Sequence, residues 1–231
     1  METGVATVGM SYSGVVNGVA EFLETAIHTL LFVRGVYAEN LFVRRRKFDA
    51  VVYQARHPAL RDYIQRACTS VRDEMLLGTV ERVAVVITDG EATLERFVFG
   101  VRSLLEVEPE HYNDGIPGAP SASSLAQLFR ALMLKLASSQ GMLNPLELSD
   151  DASFAVVIEL KEGVAPSTTQ PTEPSPWVPA RKADTTRGAK DDPATKLHWI
   201  SAVETGVVNL SLSVQESGTR QAKPPPQGHP T

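Results

Sequence analysis

The chain has 231 residues, of which 43% are hydrophobic and 21% charged, and its formal net charge at pH 7 is −5. This is the composition of a folded globular protein, and it excludes a wholly disordered chain and a coiled-coil rod. Binding nucleic acid over the whole surface usually needs a strongly basic domain, which an acidic chain does not offer. We therefore expect no direct nucleic-acid partner.

Apolar residues at helical spacing predict three helices. The first carries its stripe over Val19–Leu30 and ends near Gly35, a typical helix stop. The second opens at Pro58, because proline is favoured at the first helical position. The third opens at Ser124, with Gln127 completing a capping box. It is the most apolar of the three, which makes it the best candidate for the central helix.

Strand signals fill the stretches between and after the helices. Asp89-Gly90 and Thr205-Gly206 are turn dipeptides flanked by β-branched runs, so each predicts a hairpin. The predicted strands are Phe48–Gln54, Val83–Thr88, Arg96–Val101, Phe154–Leu160, Leu197–Val203 and Val207–Val214. The element order predicts an α+β fold, with helices packed on one face of a largely antiparallel sheet.

Three polar stretches are not core. Glu106–Ala122 is predicted to be a flexible surface loop, and Gly218–Thr231 a disordered tail. Lys161–Lys196 holds six prolines and almost no large apolar side chain, yet one predicted strand ends just before it and another begins just after it. A loop of this length inside a compact domain is usually functional or disordered.

Residues with catalytic or metal-binding potential do not fall into a known pattern. Gly9–Gly14 has the glycine spacing of a phosphate loop but lacks the Lys-Ser/Thr that must follow. His28 and His57 are interpreted as structural residues, and Cys68 as a small buried hydrophobe. We therefore expect no enzyme activity, no metal site and no cofactor.

The N-terminal stretch Thr3–Ala20 is uncharged but is interrupted by glycines, and Glu2 stands where a signal peptide has a basic start. It is also too polar and too short to span a bilayer. Cys68 is the single cysteine, so no disulfide framework or cysteine zinc site is possible, and a reducing compartment fits best. We expect a soluble intracellular protein with no membrane partner.

Two features allow more than one interpretation. Arg44-Arg45-Arg46-Lys47 is the only basic run, and it reads as a solvated lead-in to a strand, a nuclear import signal or a phosphate contact. Trp177 stands between Pro176 and Val178 in an otherwise polar loop. It either pins the loop to the core or contacts a partner in a groove, where tryptophan is over-represented among energetic anchors.

Over about residues 15–216 the chain resembles the HORMA-domain family. It is most similar to the mitotic-arrest-deficient-two-like branch, which supplies the non-catalytic subunit of DNA polymerase zeta. The segments that carry this resemblance are Phe22-Leu23-Glu24 with Ala26 and His28, Tyr37 before the basic run, His57–Gln65, Val80–Val86, Glu95–Phe99, Leu128–Ala131, Pro176-Trp177 and Leu212–Glu216.

The resemblance implies a HORMA-like α+β fold with three main helices and a C-terminal safety belt. The implied organisation is a flexible N-terminus over residues 1–14, a HORMA domain over 15–216 and a disordered tail over 217–231. The belt covers 161–216 and includes the Pro-rich loop 161–196, in which 179–192 reads as an insertion. In this family the belt wraps over a partner peptide that adds as a strand to the sheet, and its hairpin changes position on switching.

The resemblance also assigns site residues by position. The peptide-binding residues are Tyr63, Pro176 and Trp177. The residues that meet the C-terminal domain of the translesion polymerase scaffold are Leu197, Ser211 and Ser213. The dimer-interface residues are Arg130 and Lys135. Tyr63 also fits the apolar stripe of the second helix, so core packing is its other interpretation. Ser211 and Ser213 stand where vertebrate members have Gln and Tyr.

The function that the resemblance implies is that of a non-catalytic adaptor in DNA damage tolerance and DNA repair. It would clasp a peptide of the polymerase zeta catalytic subunit and bridge it to the translesion polymerase scaffold. The implied state is a homodimer or a heterodimer with another HORMA protein, in the nucleus and secondarily the cytoplasm. The alternative is a HORMA adaptor for spindle-checkpoint, anaphase-promoting-complex or meiotic partners in the cell cycle.

Overall fold

Residues 9–167 and 177–218 are described by a computed structural model of the chain. The helices are α1 (Tyr12–Val33), α2 (Pro58–Leu76), α3 (Ala122–Ser138) and α4 (Thr186–Lys190). The strands are β1 (Phe42–Lys47), β2 (Ala50–Ala55), β3 (Val80–Asp89), β4 (Ala92–Ser103), β5 (Ala152–Leu160), β6 (Lys196–Val203) and β7 (Val208–Glu216).

The strands form one five-stranded sheet and one separate ribbon. The sheet has the order β5-β3-β4-β7-β6, and every neighbouring pair is antiparallel. The ribbon pairs β1 with β2. The α+β architecture predicted from the sequence is therefore confirmed, and it leaves β5 and β6 as the two edges of the sheet.

Helix α1 is the most enclosed of the helices. It contacts both α2 and α3, and its apolar residues are buried on more than one side. Phe22 stacks on Phe129 of α3 at 4.9 Å between ring centroids and meets Phe99 of β4 edge-on at 6.0 Å. The prediction that the third helix is central is therefore wrong, because α1 lies between the other two. Among the described residues α1 alone is long and apolar enough to cross a membrane, but 72% of that apolar window is buried in the fold.

Several element boundaries differ from the sequence prediction. Helix α3 begins at Ala122, and its cap is Ser121, whose Oγ accepts the Ser124 N–H at 3.1 Å. The predicted capping box that starts at Ser124 is therefore wrong. Helix α1 begins at Tyr12, within the segment 1–14 expected to be flexible, because Ser11 caps it by accepting the Gly14 N–H.

The basic run forms strand β1 itself. Phe48 and Asp49 both adopt positive φ, at 50° and 55°, and turn the chain so that β1 pairs back onto β2. The predicted strand Phe48–Gln54 is therefore wrong at its start. Positive φ is rare for a phenylalanine, so the Phe-Asp pair carries no turn signal in the sequence.

A buried polar cluster joins the helical layer to one end of the sheet. Arg34, at the C-terminal end of α1, donates from Nε to Glu95 Oε2 at 2.9 Å and from Nη2 to Glu95 Oε1 at 2.5 Å. The same Nη2 donates to the Asn144 carbonyl at 2.8 Å, which connects the chain that follows α3. The side chains of Arg34 and Glu95 are only 4% and 1% exposed, so this ion pair is fully desolvated.

Glu216, the last residue of β7, completes this cluster. It lies opposite Glu95 in the β4–β7 register and is buried. Glu216 Oε1 accepts the Asn144 N–H at 3.0 Å and Nδ2 at 3.2 Å, and Nε2 of His198 on β6 lies 2.7 Å from Oε2. Burial alone would raise the pKa of Glu216, but the hydrogen bonds from Asn144 and His198 outweigh it and hold that pKa below its ordinary value.

We predict that Arg34→Ala lowers the free energy of unfolding by about 3–5 kcal/mol, because it leaves the Glu95 carboxylate buried without its cation. Urea denaturation measures this loss. The matched control is Arg46→Ala, which breaks the exposed Arg46–Asp49 pair and should leave the midpoint close to that of the wild type. Equal midpoints for the two variants would contradict the assignment.

We also predict that Glu216 contributes a pH-dependent part of the stability. Because its folded-state pKa is lowered, its contribution is complete above the ordinary glutamate pKa of about 4.3 and is lost as pH falls through the folded value. Glu216→Gln should therefore be less stable at pH 7 and should lose less stability than the wild type between pH 7 and pH 3. Urea unfolding at a series of pH values tests this, and parallel curves for the two proteins would refute it.

Candidate functional site

A groove of about 530 Å³ lies along the edge of the sheet formed by β5. One wall is the strand itself with Tyr63 of α2, and the opposite wall is the extended chain that starts at Trp177. The lining is mostly apolar and consists of Tyr63, Ala155–Ile158, Leu160, Pro166, Trp177–Arg181 and Asp184. The groove thus separates an open strand edge from a segment that crosses over it.

The main chain of β5 faces this groove at alternate residues. The Val156 N–H donates to the Tyr63 hydroxyl at 3.4 Å, so it points away from β3. Because hydrogen-bonding groups alternate between the two sides of an antiparallel strand, the main-chain groups of Phe154 and Ile158 point the same way. The edge can therefore hydrogen-bond an additional strand.

Aromatic side chains surround the start of the groove. The Tyr63 side chain is 40% exposed, and its ring meets Phe154 edge-on at 5.4 Å between centroids. Trp177 is partly buried, packs against the core and also lines the groove. The positions of Trp177 and Tyr63 are thus compatible with packing against the core and also with contact to a partner in the groove. Pro176, the third predicted peptide-binding residue, lies outside the described residues.

The chain after β5 is held to the body of the protein on both sides of the groove. Ser167 donates to Oε1 of the buried Glu74, from its main-chain N–H at 2.6 Å and from Oγ at 2.7 Å. Beyond Trp177 the chain crosses the face of the sheet that carries no long helix, and it then enters β6 at the opposite edge. We call residues 161–216 the belt from here on.

The loop within the belt contains more structure than the sequence predicted. A 3-10 turn at Lys182–Asp184 and helix α4 lie inside it, and Asp184, Thr186 and Ala189 are buried. The prediction that 161–196 lacks core material is therefore wrong in this part. The buried side chains are small or polar, so a search for large apolar residues could not find them.

The residues predicted to meet the scaffold share one face of the β6–β7 hairpin. Leu197 pairs with Gln215, Trp199 with Ser213, and Ala202 with Ser211 across the hairpin, so Ser211 and Ser213 point to the face that Leu197 uses. Leu197 is 65% exposed and Trp199 64% exposed. Trp199 is not among the residues predicted from the sequence, although two large apolar residues at i and i+2 of an edge strand could have indicated it.

The residues predicted to form a dimer interface lie on the outward side of α3. Arg130 and Lys135 are exposed, and Leu134 beside them is 54% exposed. Arg130 is not unpaired, since its Nη1 donates to Asp49 Oδ2 at 2.8 Å in the β1–β2 turn. These residues lie on α3, which contributes no residue to the lining of the groove.

Cys68 and His28 are both buried in the core. Burial raises the pKa of Cys68 to about 12, and burial with the nearby charges of Arg61 and Lys47 lowers the pKa of His28 to about 4. His28 Nδ1 accepts the Ala55 N–H, which gives the ring a structural contact. Within residues 9–167 and 177–218, no group of three or more His, Cys, Asp or Glu side chains could hold a metal ion.

Known proteins similar to this chain cover most of its length. No family model matches the chain. Mitotic spindle assembly checkpoint protein MAD2B of Gallus gallus is 30% identical over 209 residues, which is 87% of this chain and 90% of that protein. The DNA polymerase zeta processivity subunit of Schizosaccharomyces pombe is 28% identical over 187 residues, which is 79% of this chain and 85% of that protein.

Solved structures show the same fold. The chain matches one component of the mitotic checkpoint complex with a TM-score of 0.68 at 19% identity, over 88% of this chain and 98% of that one. It matches C. elegans HTP-1 bound to HIM-3 closure motif with a TM-score of 0.66 at 11% identity, over 90% and 92% of the two chains. These matches confirm the predicted HORMA-like fold, and the identity to MAD2B over most of both chains shows the family. The chain belongs to the MAD2B family of HORMA-domain proteins, whose members are non-catalytic adaptors.

Proposed function

We propose that the chain clasps a peptide of the DNA polymerase zeta catalytic subunit and bridges it to the translesion polymerase scaffold. The observation that carries this proposal is the groove between the open edge of β5 and the belt. A peptide in this groove gains main-chain hydrogen bonds from β5, and alternate side chains contact the aromatic wall. HORMA domains bind closure-motif peptides, as the complex of HTP-1 with HIM-3 closure motif illustrates.

The position of the β6–β7 hairpin supports a closed belt. The hairpin pairs with β4, on the far side of the sheet from β5, so it does not occupy the edge that a peptide needs. The belt connects the two edges across the outer face. In the proposed cycle the hairpin leaves this position when the belt opens, and the domain 15–216 works as one unit with 161–216 as its moving part.

The choice of peptide rests on the relatives. The Schizosaccharomyces pombe relative is a DNA polymerase zeta processivity subunit, which favours a polymerase peptide and a nuclear location. The second candidate function is a spindle-checkpoint adaptor, because the Gallus gallus relative carries that name. The two candidates use the same groove, so they differ in the peptide that binds and not in the geometry.

The scaffold contact belongs to the opposite edge of the sheet. Leu197 and Trp199 project from β6 beside Ser211 and Ser213 of β7, and the groove lies along β5. Because the two edges are separated by three strands, one chain can hold a peptide and a folded partner at the same time. This separation is the physical basis of the proposed bridging role.

We predict that Trp177→Ala weakens binding of a polymerase zeta catalytic-subunit peptide by about 2 kcal/mol or more, a roughly 30-fold loss that is typical of a hot-spot residue. The loss arises because the groove loses its aromatic wall. Fluorescence anisotropy with a labelled peptide measures the affinity, and thermal unfolding is recorded beside it. A lower melting temperature with unchanged affinity would make Trp177 a structural staple and remove it from the site.

The matched control for this experiment is Trp199→Ala, which removes the same side chain from the far edge of the sheet. It should leave the peptide affinity unchanged and weaken binding of the scaffold's C-terminal domain. Tight binding of a spindle-checkpoint peptide together with no binding of the polymerase peptide would favour the second candidate function. Binding of neither peptide to the wild type would refute the proposed function.

Self-association through α3 is a further part of the proposal. The outward side of α3 combines the Arg130 guanidinium and Lys135 with the exposed Leu134. A guanidinium on an apolar face can pair with a carboxylate or stack across a two-fold interface, and its planar donors make the contact directional. The partner in this interface is a second copy of the chain or another HORMA domain.

We predict that the peptide-bound protein is a dimer at micromolar concentration and that Arg130→Ala makes it monomeric. Sedimentation velocity or light scattering measures the mass, and peptide affinity should change little because the groove is on another surface. Asp49→Ala is the control, since it removes the partner of Arg130 within the chain but keeps the guanidinium. A monomeric wild-type complex, or a dimeric Arg130→Ala complex, would contradict this part.

A further inference from the structure

The outer face of the sheet carries a small apolar patch that no long helix covers. Ala84, Val86, Val98 and Val157 form this patch and are all buried. The segment that lies over this face is residues 181–190 of the belt, which contain the 3-10 turn and α4. We call these residues the cap. Ala189 and Thr186 of the cap are 1% and 4% exposed, so these two residues are as deeply buried as core side chains.

Three side chains of the sheet hold the cap by directed hydrogen bonds. Thr93 Oγ1 donates to Asp184 Oδ1 at 2.7 Å, and Arg96 Nε donates to the Ala183 carbonyl at 3.0 Å. Glu159 accepts the Thr186 N–H at 2.5 Å and its hydroxyl at 2.6 Å. Thr93 and Arg96 belong to β4 and Glu159 to β5, so the cap is fixed to two different strands.

Charges reinforce these contacts at both ends of the cap. Burial alone would raise the pKa of Asp184, but the hydrogen bonds from Arg181 and Thr93 and the charges of Arg181 and Arg96 outweigh it and lower that pKa. Glu159 also accepts from Arg82 Nη1 at 3.1 Å. The sheet therefore presents both a buried cation, Arg96, and a carboxylate, Glu159, each to a complementary group of the cap.

The cap is also a preformed unit. Thr185 caps α4 by accepting the Gly188 N–H at 3.0 Å, and the helix folds back on the 3-10 turn. A side chain at position 188 would collide with the Lys182 carbonyl oxygen, so only glycine allows this close approach. The cap is therefore held together by its own contacts as well as by those to the sheet.

The cap is continuous with the wall of the groove. Arg181 and Asp184 line the groove together with Pro179 and Ala180, and Trp177 lies four residues before the cap. A belt that lifts away from β5 must therefore pull on the contacts of the cap. The lifetime of the closed belt then depends on bonds made by Thr93, Arg96 and Glu159, which do not line the groove.

We propose that the cap is the lock of the belt, and that Glu159, Arg96 and Thr93 are positioning residues that set how long a captured peptide stays bound. This inference rests on the proposed function for its biological meaning. Contacts on the outer face of the sheet thus set how long the peptide stays bound, whereas the aromatic groove sets which peptide binds. Breaking the lock should speed the release of peptide while the groove itself stays intact.

The test uses the full chain and two variants that remove cap contacts from the sheet side, Glu159→Ala and Thr93→Val. The first readout is hydrogen exchange of the protein without peptide. We expect amides of residues 182–190 to exchange about tenfold faster in Glu159→Ala, the effect of losing a hydrogen bond to a charged group, while β3 and β4 keep their protection. Glu159→Gln keeps an acceptor for Thr186 and should restore part of the protection.

The second readout is the kinetics of a polymerase zeta catalytic-subunit peptide on the same variants. We expect dissociation to be about tenfold faster and association to change by less than about twofold, because most affinity changes within one interface lie in the dissociation rate. Arg187→Ala is the control, since it truncates an exposed residue of α4 and should change neither readout.

The outcomes separate the lock from the proposed function. Unchanged exchange in the cap of both Glu159→Ala and Thr93→Val overturns the lock, and so does faster exchange with unchanged peptide dissociation. A loss of protection that spreads equally over β3 and β4 also overturns it, because the contacts would then be part of global stability. If no peptide binds the wild type, the proposed function fails, while the exchange measurement still decides whether the cap is a separate opening unit.

Discussion

The ion pair between Arg34 and Glu95 is the constraint on which the arrangement of the sheet depends. It lies where the end of α1, the strand β4 and the chain after α3 meet, and Glu216 of β7 joins it from the hairpin. Two buried carboxylates opposite each other on β4 and β7 repel unless cations and N–H donors surround them. A shift of the hairpin by two residues along β4 would keep its apolar face inward but would separate Glu216 from Asn144, which lies outside the hairpin. Directed polar contacts thus fix a register that apolar packing alone leaves open.

The two edge strands of the sheet, β5 and β6, differ in what covers them. An open edge strand invites pairing with other chains, and natural proteins usually cover, charge or shorten it. Here β5 is overlaid by the belt, whereas β6 exposes Leu197 and Trp199 to solvent. The covered edge offers main-chain hydrogen bonds, and the exposed edge offers apolar side chains. The proposed adaptor uses each edge for the kind of partner that its chemistry suits.

Much of the sheet could be predicted from the sequence, because its hairpins have glycine turns and its strands have β-branched runs. The Asp89-Gly90 turn and the strands β3, β4 and β5 follow from these local signals. The ribbon β1–β2 did not, since its turn is Phe48-Asp49 and its first strand is basic. The family resemblance, not the residue pattern, assigned Tyr63 and Trp177 to one groove.

The features that sequence analysis missed depend on distant partners. Arg34 and Glu95 are 61 positions apart, and neither residue alone indicates a buried ion pair. The cap is missed because its buried residues are Asp184, Thr186 and Ala189, which are usual in exposed loops as well. Whether such residues are buried is decided by what they meet on the sheet, Thr93, Arg96 and Glu159, and no local window of sequence contains both sides.

The path of the belt has a topological consequence. The chain runs covalently from β5, over the groove and the outer face, to a hairpin that is hydrogen-bonded at the other side of the sheet. A segment held in the groove, as proposed, is therefore enclosed by a ring that is closed non-covalently by the pairing of β7 with β4 and by the bonds of the cap. An internal segment of a large protein, with folded domains on both sides, cannot be threaded through such a ring and must enter sideways while the ring is open. Once the ring closes, the two chains are linked, and tension along the captured chain meets the backbone of the belt before it loads any single side-chain contact.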